Sequence, residues 1–236
     1  MPAEELVLEP LPLGEADVEI SLLDVTRLVD AESVARRFLT PRERAEYARL
    51  RHPSRRREWL GARVCLKEML RRRRRVGDPL QCEIVKDARG RPGLSFLRSE
   101  RGHAVYDCSL SHTGRFACAG VSSRPGVNLG VDVEQISGRL LGLRGAFVRD
   151  GDALVGGRPP EEELAILWAL KEACAKAVGG GIGFALADVI SEETAEGRHR
   201  VRSGTGLEFR ARHVLIEGYV IALCLGTEYA GATHDR

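Results

Sequence analysis

A chain of 236 residues and 25.9 kDa, 43% hydrophobic and 30% charged, has length enough to bury a core as one large domain or two small ones, and its composition is neither disordered nor fibrous. The first ten residues carry Glu4, Glu5 and Glu9 without a basic start and apolar core, so no secretory signal is expected; the longest apolar run, residues 214–225, contains Glu217 and is too short to span a bilayer. A net charge of +2 hides an asymmetry: residues 36–75 hold 16 Arg and Lys against four Glu, which implies an anionic partner.

In chain order, residues 18–25 read as an opening strand. Thr40-Pro41-Arg42-Glu43 combines an N-cap, a proline at the first helical position and a capping-box glutamate, so a helix is expected from there to about His52. A second helix is expected from about Ser54 to Arg74, with Trp59, Val64, Leu66, Met69 and Leu70 as its apolar set. Residues 81–85 read as a strand and 88–93 as a turn. Strands at 105–110 and 116–121 flank a loop at Ser111-His112-Thr113-Gly114-Arg115. After a turn at 122–126 comes a strand at 127–133, then a helix over 164–178 closed by Gly179 to Gly183, and final strands near 208–212 and 219–225. Strands and single long helices alternate on each side of about residue 126, suggesting two similar α/β units. The six cysteines are scattered with no C-x-x-C pair, which favours buried, reduced thiols in a cytoplasmic protein.

Three places carry chemistry. Gly130-Val131-Asp132-Val133-Glu134 puts Asp132 and Glu134 on one strand face and the two valines on the other. Paired carboxylates of this kind suit Mg²⁺, although two solvated acids are the plainer reading of D-x-E alone. Trp168, Glu172 and Lys176 step by four along the last helix. An ordinary Glu–Lys surface pair is the bland account. Against it, the neighbouring residues are small or apolar, and lysine is rare here: only four of the 36 basic residues are Lys. A third carboxylate beside a compact ammonium suits a metal together with a phosphate. Ser111, His112 and Arg115 offer a hydroxyl, an imidazole and a guanidinium, better read as an anion cradle than as a Ser–His nucleophile pair; a histidine satisfied by backbone is the alternative.

Gly90-Arg91-Pro92, Ser111-His112-Thr113, Gly130 to Glu134, and Trp168 to Lys176, taken in this order, resemble the signature of the 4'-phosphopantetheinyl transferases, in particular the larger monomeric type that activates surfactin synthetase (Sfp-type). The resemblance covers about residues 39–225 and extends to Leu39 to Glu43 and Arg57 to Gly61. It implies a pseudo-dimer of two similar α/β subdomains, residues 1–126 and 127–236, with coenzyme A in the cleft between them. It further implies Mg²⁺-dependent transfer of the phosphopantetheine arm from coenzyme A to a serine of an apo acyl or peptidyl carrier protein with an acidic surface, releasing adenosine 3',5'-bisphosphate. Asp132, Glu134 and Glu172 match the metal ligands, with Glu172 the first choice of base and Asp150, Asp152 or a metal-bound water the alternatives. Lys176 matches the lysine on the phosphates. Ser111 and His112 match coenzyme A contacts, the histidine chiefly on the 3'-phosphate. Arg91 stands where the family usually has lysine, and among the N-terminal arginines (Arg42, Arg44, Arg57) Arg57 is the first choice for the nucleotide phosphates. Rival readings are a non-catalytic coenzyme A or carrier-binding module and a Mg²⁺-dependent phosphate hydrolase. A nucleic-acid binder is disfavoured, because two Trp and four Tyr leave few stacking platforms.

Overall fold

The computed structural model describes residues 8–15, 17–97, 107–154, 156–179 and 185–226. Its elements in order are β1 (Glu9–Pro10), β2 (Val18–Asp24), α1 (Ala31–Phe38), α2 (Pro41–Arg49), α3 (Pro53–Arg72), β3 (Cys82–Lys86), β4 (Pro92–Phe96), β5 (Asp107–Thr113), β6 (Phe116–Ser122), β7 (Leu129–Gln135), α4 (Arg144–Phe147), α5 (Pro160–Val178), β8 (Ile190–Ala195), β9 (Arg198–Arg202), β10 (Glu208–Ile216) and β11 (Tyr219–Gly226). The fold is a mixture of helix and strand, as expected. Its strands form one sheet ordered β1-β2-β6-β5, a second ordered β7-β11-β10-β9-β8, and a β3-β4 ribbon. Every pair of named strands is antiparallel.

Alternation along the strands sorts the core into three layers of contact. Ala117, Ala119 and Val121 of β6 face α3, meeting Leu60, Val64 and Cys65. Their neighbour Cys118, with Phe116, Ile20 and Leu22, points the other way and packs against Val131, Val133, Ile221 and Leu223 of the second sheet. The far face of that sheet, with Ala211, Val220 and Ala222, carries α5 through Leu170, Ala173 and Ala177. The order is therefore helix, sheet, sheet, helix, and the two sheets share an apolar seam. All six cysteines are buried with free thiols. Among the described residues no helix is long and apolar enough to cross a membrane.

The capping box at Thr40 and Glu43 forms as the sequence predicts. Glu43 also takes a 2.5 Å bond from the fully buried Lys67, so the box anchors α2 to α3. Helix α5 starts at Pro160, four residues before the expected Leu164, because proline is tolerated in a first turn and Glu161, Glu162 and Glu163 complement the helix N-terminus. It ends at Gly179, whose φ of 71° is left-handed. The rest of that glycine run, 180–183, lies outside the described residues, as do positions 105 and 106 of an expected strand. Ser111 and His112 are not in a loop, as the sequence reading has them. They belong to β5, where His112 pairs with Ala117 and the turn is confined to Gly114 and Arg115.

Candidate active site

At the junction of the two sheets, β5 of the first runs beside β7 of the second. Ser109 Oγ accepts from the Val131 N–H at 3.0 Å, Asp107 accepts from the Leu129 N–H at 2.6 Å, and Ser111 Oγ donates to Asp132 Oδ1 at 2.7 Å. Helix α5 crosses β7 so closely that Gly130 has no room for a side chain: a Cβ there would lie 1.8 Å from the Ala173 carbonyl oxygen. That approach brings Lys176 Nζ to 2.7 Å from Asp132 Oδ1 and 3.1 Å from the Val131 carbonyl. The glycine opening the D-x-E segment is thus required by packing, not by an unusual backbone angle.

Asp132 and Glu134 share the face of β7 that looks toward α5, opposite Val131 and Val133, as alternation predicts. They are buried, however, and not solvated. Burial raises the Glu134 carboxyl above its ordinary value, Arg139 at 2.8 Å opposes the shift, and nearby Asp132 adds to it. Glu172 is raised in the same direction by burial and by Asp132, against the pull of Lys176, with Glu134 contributing further. Three carboxylates gathered in a half-dry site form an all-oxygen donor set that fits a hard divalent cation such as Mg²⁺. They do not yet converge. Among the described residues, one ligand atom from each of three residues falls within 4.8 Å of the others only at Glu193, His199 and His213. Instead Asp132 is held by Lys176 and Glu134 by Arg139, the protein's own cations standing against charges that would otherwise repel.

Beside this cluster a cavity of about 280 Å³ opens among α3, the β3-β4 ribbon, β5 and α5. Its wall carries six cations, Arg55, Arg63, Lys86, Arg89, Arg91 and Lys176, together with His112 and a single carboxylate, Glu172. A larger cavity, about 340 Å³, lies by β1 and β2, but its charged residues are Glu15, Glu19, Arg72 and Arg73, which balance. The basic cavity is the one suited to a polyanion. Arg91 is ion-paired with Asp107 and donates to the Ala177 carbonyl at 3.0 Å, fixing the turn that leads into β4 to the end of α5. The Arg63 guanidinium stacks 3.2 Å from the Trp59 ring, and its buried Nε has no hydrogen-bond partner among the described residues. Burial lowers it to about 10, opposed by Glu43 and Glu46. His112 lies 3.3 Å from Glu58. That carboxylate alone would raise the imidazole, but burial, followed by Arg55, Lys176 and Arg63, pushes it down to about 4. In the absence of an anion His112 is neutral at physiological pH.

Of the residues expected from sequence, the structure gathers Arg91, His112, Glu172 and Lys176 on the cavity wall. Asp132 lies one hydrogen bond behind Lys176, Ser111 bonds Asp132 in turn, and Glu134 stands two residues along on the same strand face. Arg57 is exposed and does not line the cavity, because two residues along a helix turn the side chain some 200° from Arg55, which does. Asp150 is exposed, and the Asp152 side chain is buried against Lys171 Nζ at 2.6 Å and accepts from the Ser191 N–H at 2.9 Å, so neither reaches the cavity. The sequence reading missed Arg55, Arg63, Lys86 and Arg89; for Arg55 and Arg63 the i, i+4, i+8 spacing with Trp59 carries the signal.

Residues 128–224 match the model of the 4'-phosphopantetheinyl transferase superfamily. No curated protein matches the chain. Among solved structures, the chain is similar to a holo-(acyl-carrier-protein) synthase from Bacillus anthracis in complex with CoA (3',5'-ADP), at 28% identity and a TM-score of 0.38, over 44% of this chain and 92% of that one. It is also similar to the holo-[acyl-carrier-protein] synthase of Thermotoga maritima, at 25% identity and a TM-score of 0.36, over 59% of this chain and 79% of that one. The family match takes in β7, α5 and most of β11, and with them Asp132, Glu134, Glu172 and Lys176.

Proposed function

We propose that this chain is a 4'-phosphopantetheinyl transferase of the two-halved Sfp type, divided near residue 126. It moves the arm of coenzyme A to a serine of an apo carrier protein and releases adenosine 3',5'-bisphosphate. The observation that carries the reading is one cleft with six cations on its wall, reached through Lys176 and Glu172 by the carboxylates of β7. Coenzyme A brings a pyrophosphate and a 3'-phosphate, and a cavity that basic offsets their charge.

In this reading Arg91 and Lys176 grip the pyrophosphate, and His112 with Arg55 takes the 3'-phosphate. Asp132, Glu134 and Glu172 hold Mg²⁺, which supplies charge neutralisation on the pyrophosphate when bound. The carrier serine hydroxyl attacks the β-phosphorus: a bond forms between serine Oγ and phosphorus, and the bond from phosphorus to the bridging oxygen breaks. The leaving nucleotide departs with that oxygen, its charge met by Lys176. Glu172 accepts the serine proton. The acidic face of a carrier protein complements the basic 36–75 segment.

Product analysis tests the assignment. With coenzyme A, Mg²⁺ and apo carrier protein, adenosine 3',5'-bisphosphate should accumulate in step with carrier modification and stay absent without carrier. Nucleotide release that ignores the carrier would make this a hydrolase; coenzyme A binding with no release would make it a binding module.

A further inference from the structure

Away from the cleft, on the same face of the second sheet that carries α5, lies a polar cluster for which the transfer reaction has no use. In the β8–β9 register Glu193 stands opposite His199, and His199 stands opposite Ala211 on β10, two residues before His213. Alternation therefore turns all three side chains to one face, where they are buried. One ligand atom from each lies within 4.8 Å of those from the other two. His199 Nε2 and His213 Nδ1 are 2.8 Å apart, and the other ring nitrogen of His199 lies 3.5 Å from Ser191 Oγ. Arg158 donates to both Glu193 oxygens at 2.9 and 3.1 Å, and the Gly197 N–H donates to one of them at 2.9 Å.

We propose that Glu193, His199 and His213 form a binding site for one divalent transition-metal ion of the zinc class, separate from the carboxylate site and filled independently of it. Two imidazole nitrogens and a carboxylate are the donor set that zinc takes and magnesium does not. A neutral imidazole carries a lone pair on one ring nitrogen, the form that binds such an ion. The contacts around the three residues are of the kind that orient ligands: a hydroxyl beside the outer nitrogen of His199, and a guanidinium with a backbone N–H on the carboxylate. Glu162, 3.6 Å from Arg158, adds a second negative charge to the neighbourhood. The ion would clasp the β8–β9 hairpin to β10, toward the sheet edge opposite β7.

The test uses the full, untagged chain, stripped with a chelator and titrated calorimetrically with Zn²⁺, in wild type and in an Asp132→Ala/Glu172→Ala background that disables the carboxylate site. One equivalent should bind in both. Affinity should fall at least tenfold in His199→Gln and in His213→Gln. Co²⁺ added to the wild type should give the strong visible absorption of a low-coordinate, nitrogen-ligated ion, a readout that survives even if a variant fails to fold. Absence of a Zn²⁺ equivalent in the double-carboxylate background, a Co²⁺ spectrum typical of all-oxygen ligands, or undiminished binding in both histidine variants would each overturn the proposal.

Discussion

Replacing Gly130 by alanine adds one methyl group at the point where α5 crosses β7. The new Cβ would sit 1.8 Å from the Ala173 carbonyl oxygen and 2.7 Å from the Ala177 nitrogen, whereas ordinary contact begins near 3.4 Å. Both obstacles are backbone atoms and cannot rotate aside, so helix and strand must part by about 1.5 Å. Overpacking on this scale costs about 1–3 kcal/mol, at the upper end here, and the stiffer unfolded chain of alanine returns about 0.4–1 kcal/mol. A net loss of roughly 2 kcal/mol is expected by urea unfolding. The same displacement carries Lys176 and Glu172 away from Asp132, breaking the 2.7 Å bond that joins them across the site. A misplacement of about 1 Å can cost about 10²-fold in rate, so transfer should fall on that order. Gly142→Ala is the control, because nothing lies within 4 Å of a Cβ at that position; it should stay within about 0.5 kcal/mol of wild type. A Gly130→Ala protein as stable as that control, transferring at the wild-type rate, would refute the argument that this glycine sets the site.

Three further outcomes follow from the geometry. Arg55→Ala should raise the KM for coenzyme A about tenfold while Arg57→Ala leaves it within about twofold, since a charge-assisted contact is worth about 1.5–3 kcal/mol and only Arg55 faces the cavity; the reverse ranking would mean that α3 presents another face. Lys171→Met leaves the buried Asp152 carboxylate without its cation and should cost about 3–5 kcal/mol in thermal unfolding, and a change within about 1 kcal/mol would show the pair to be dispensable. His112, held at about 4 when folded against about 6.5 unfolded, binds fewer protons in the native state between those values, so its contribution to stability rises with pH across that window and is lost as pH falls through it. The stability gap between wild type and His112→Gln should therefore narrow on acidification from pH 7 to pH 4, by on the order of 3 kcal/mol at most; a gap that widens would contradict the neutral, buried imidazole.

Much of the site is legible in the sequence because period-two and period-four spacings map directly onto faces. Asp132 and Glu134 alternate with Val131 and Val133, and Glu172 and Lys176 lie one helical turn apart, so their companionship follows from local geometry alone. Burial does not follow, because it depends on α5 lying across β7, a contact made by residues more than 40 positions apart. The helix phase that separates Arg55 from Arg57 is also present in the sequence, but only once Trp59 and Arg63 are taken as the inward stripe. Ser111 and His112 look like loop residues because Gly114 follows; pairing with Cys118 and Ala117 of β6 keeps them extended. Strands β8 and β9 escape a hydrophobic pattern altogether, since Ser191, Glu193 and His199 are among the side chains they bury. Helix α1 escapes for a similar reason, burying only Ala35 and Phe38.

The central claim is transfer to a carrier serine, and intact mass spectrometry of an apo acyl or peptidyl carrier protein, after incubation with this protein, coenzyme A and Mg²⁺, tests it most directly. The account predicts a mass gain of one phosphopantetheine arm that disappears with a chelator, with the carrier serine replaced by alanine, and with Glu172→Ala. A carrier mass that stays unchanged on fatty-acid and peptidyl carriers alike, or a gain that persists in Glu172→Ala, would contradict it.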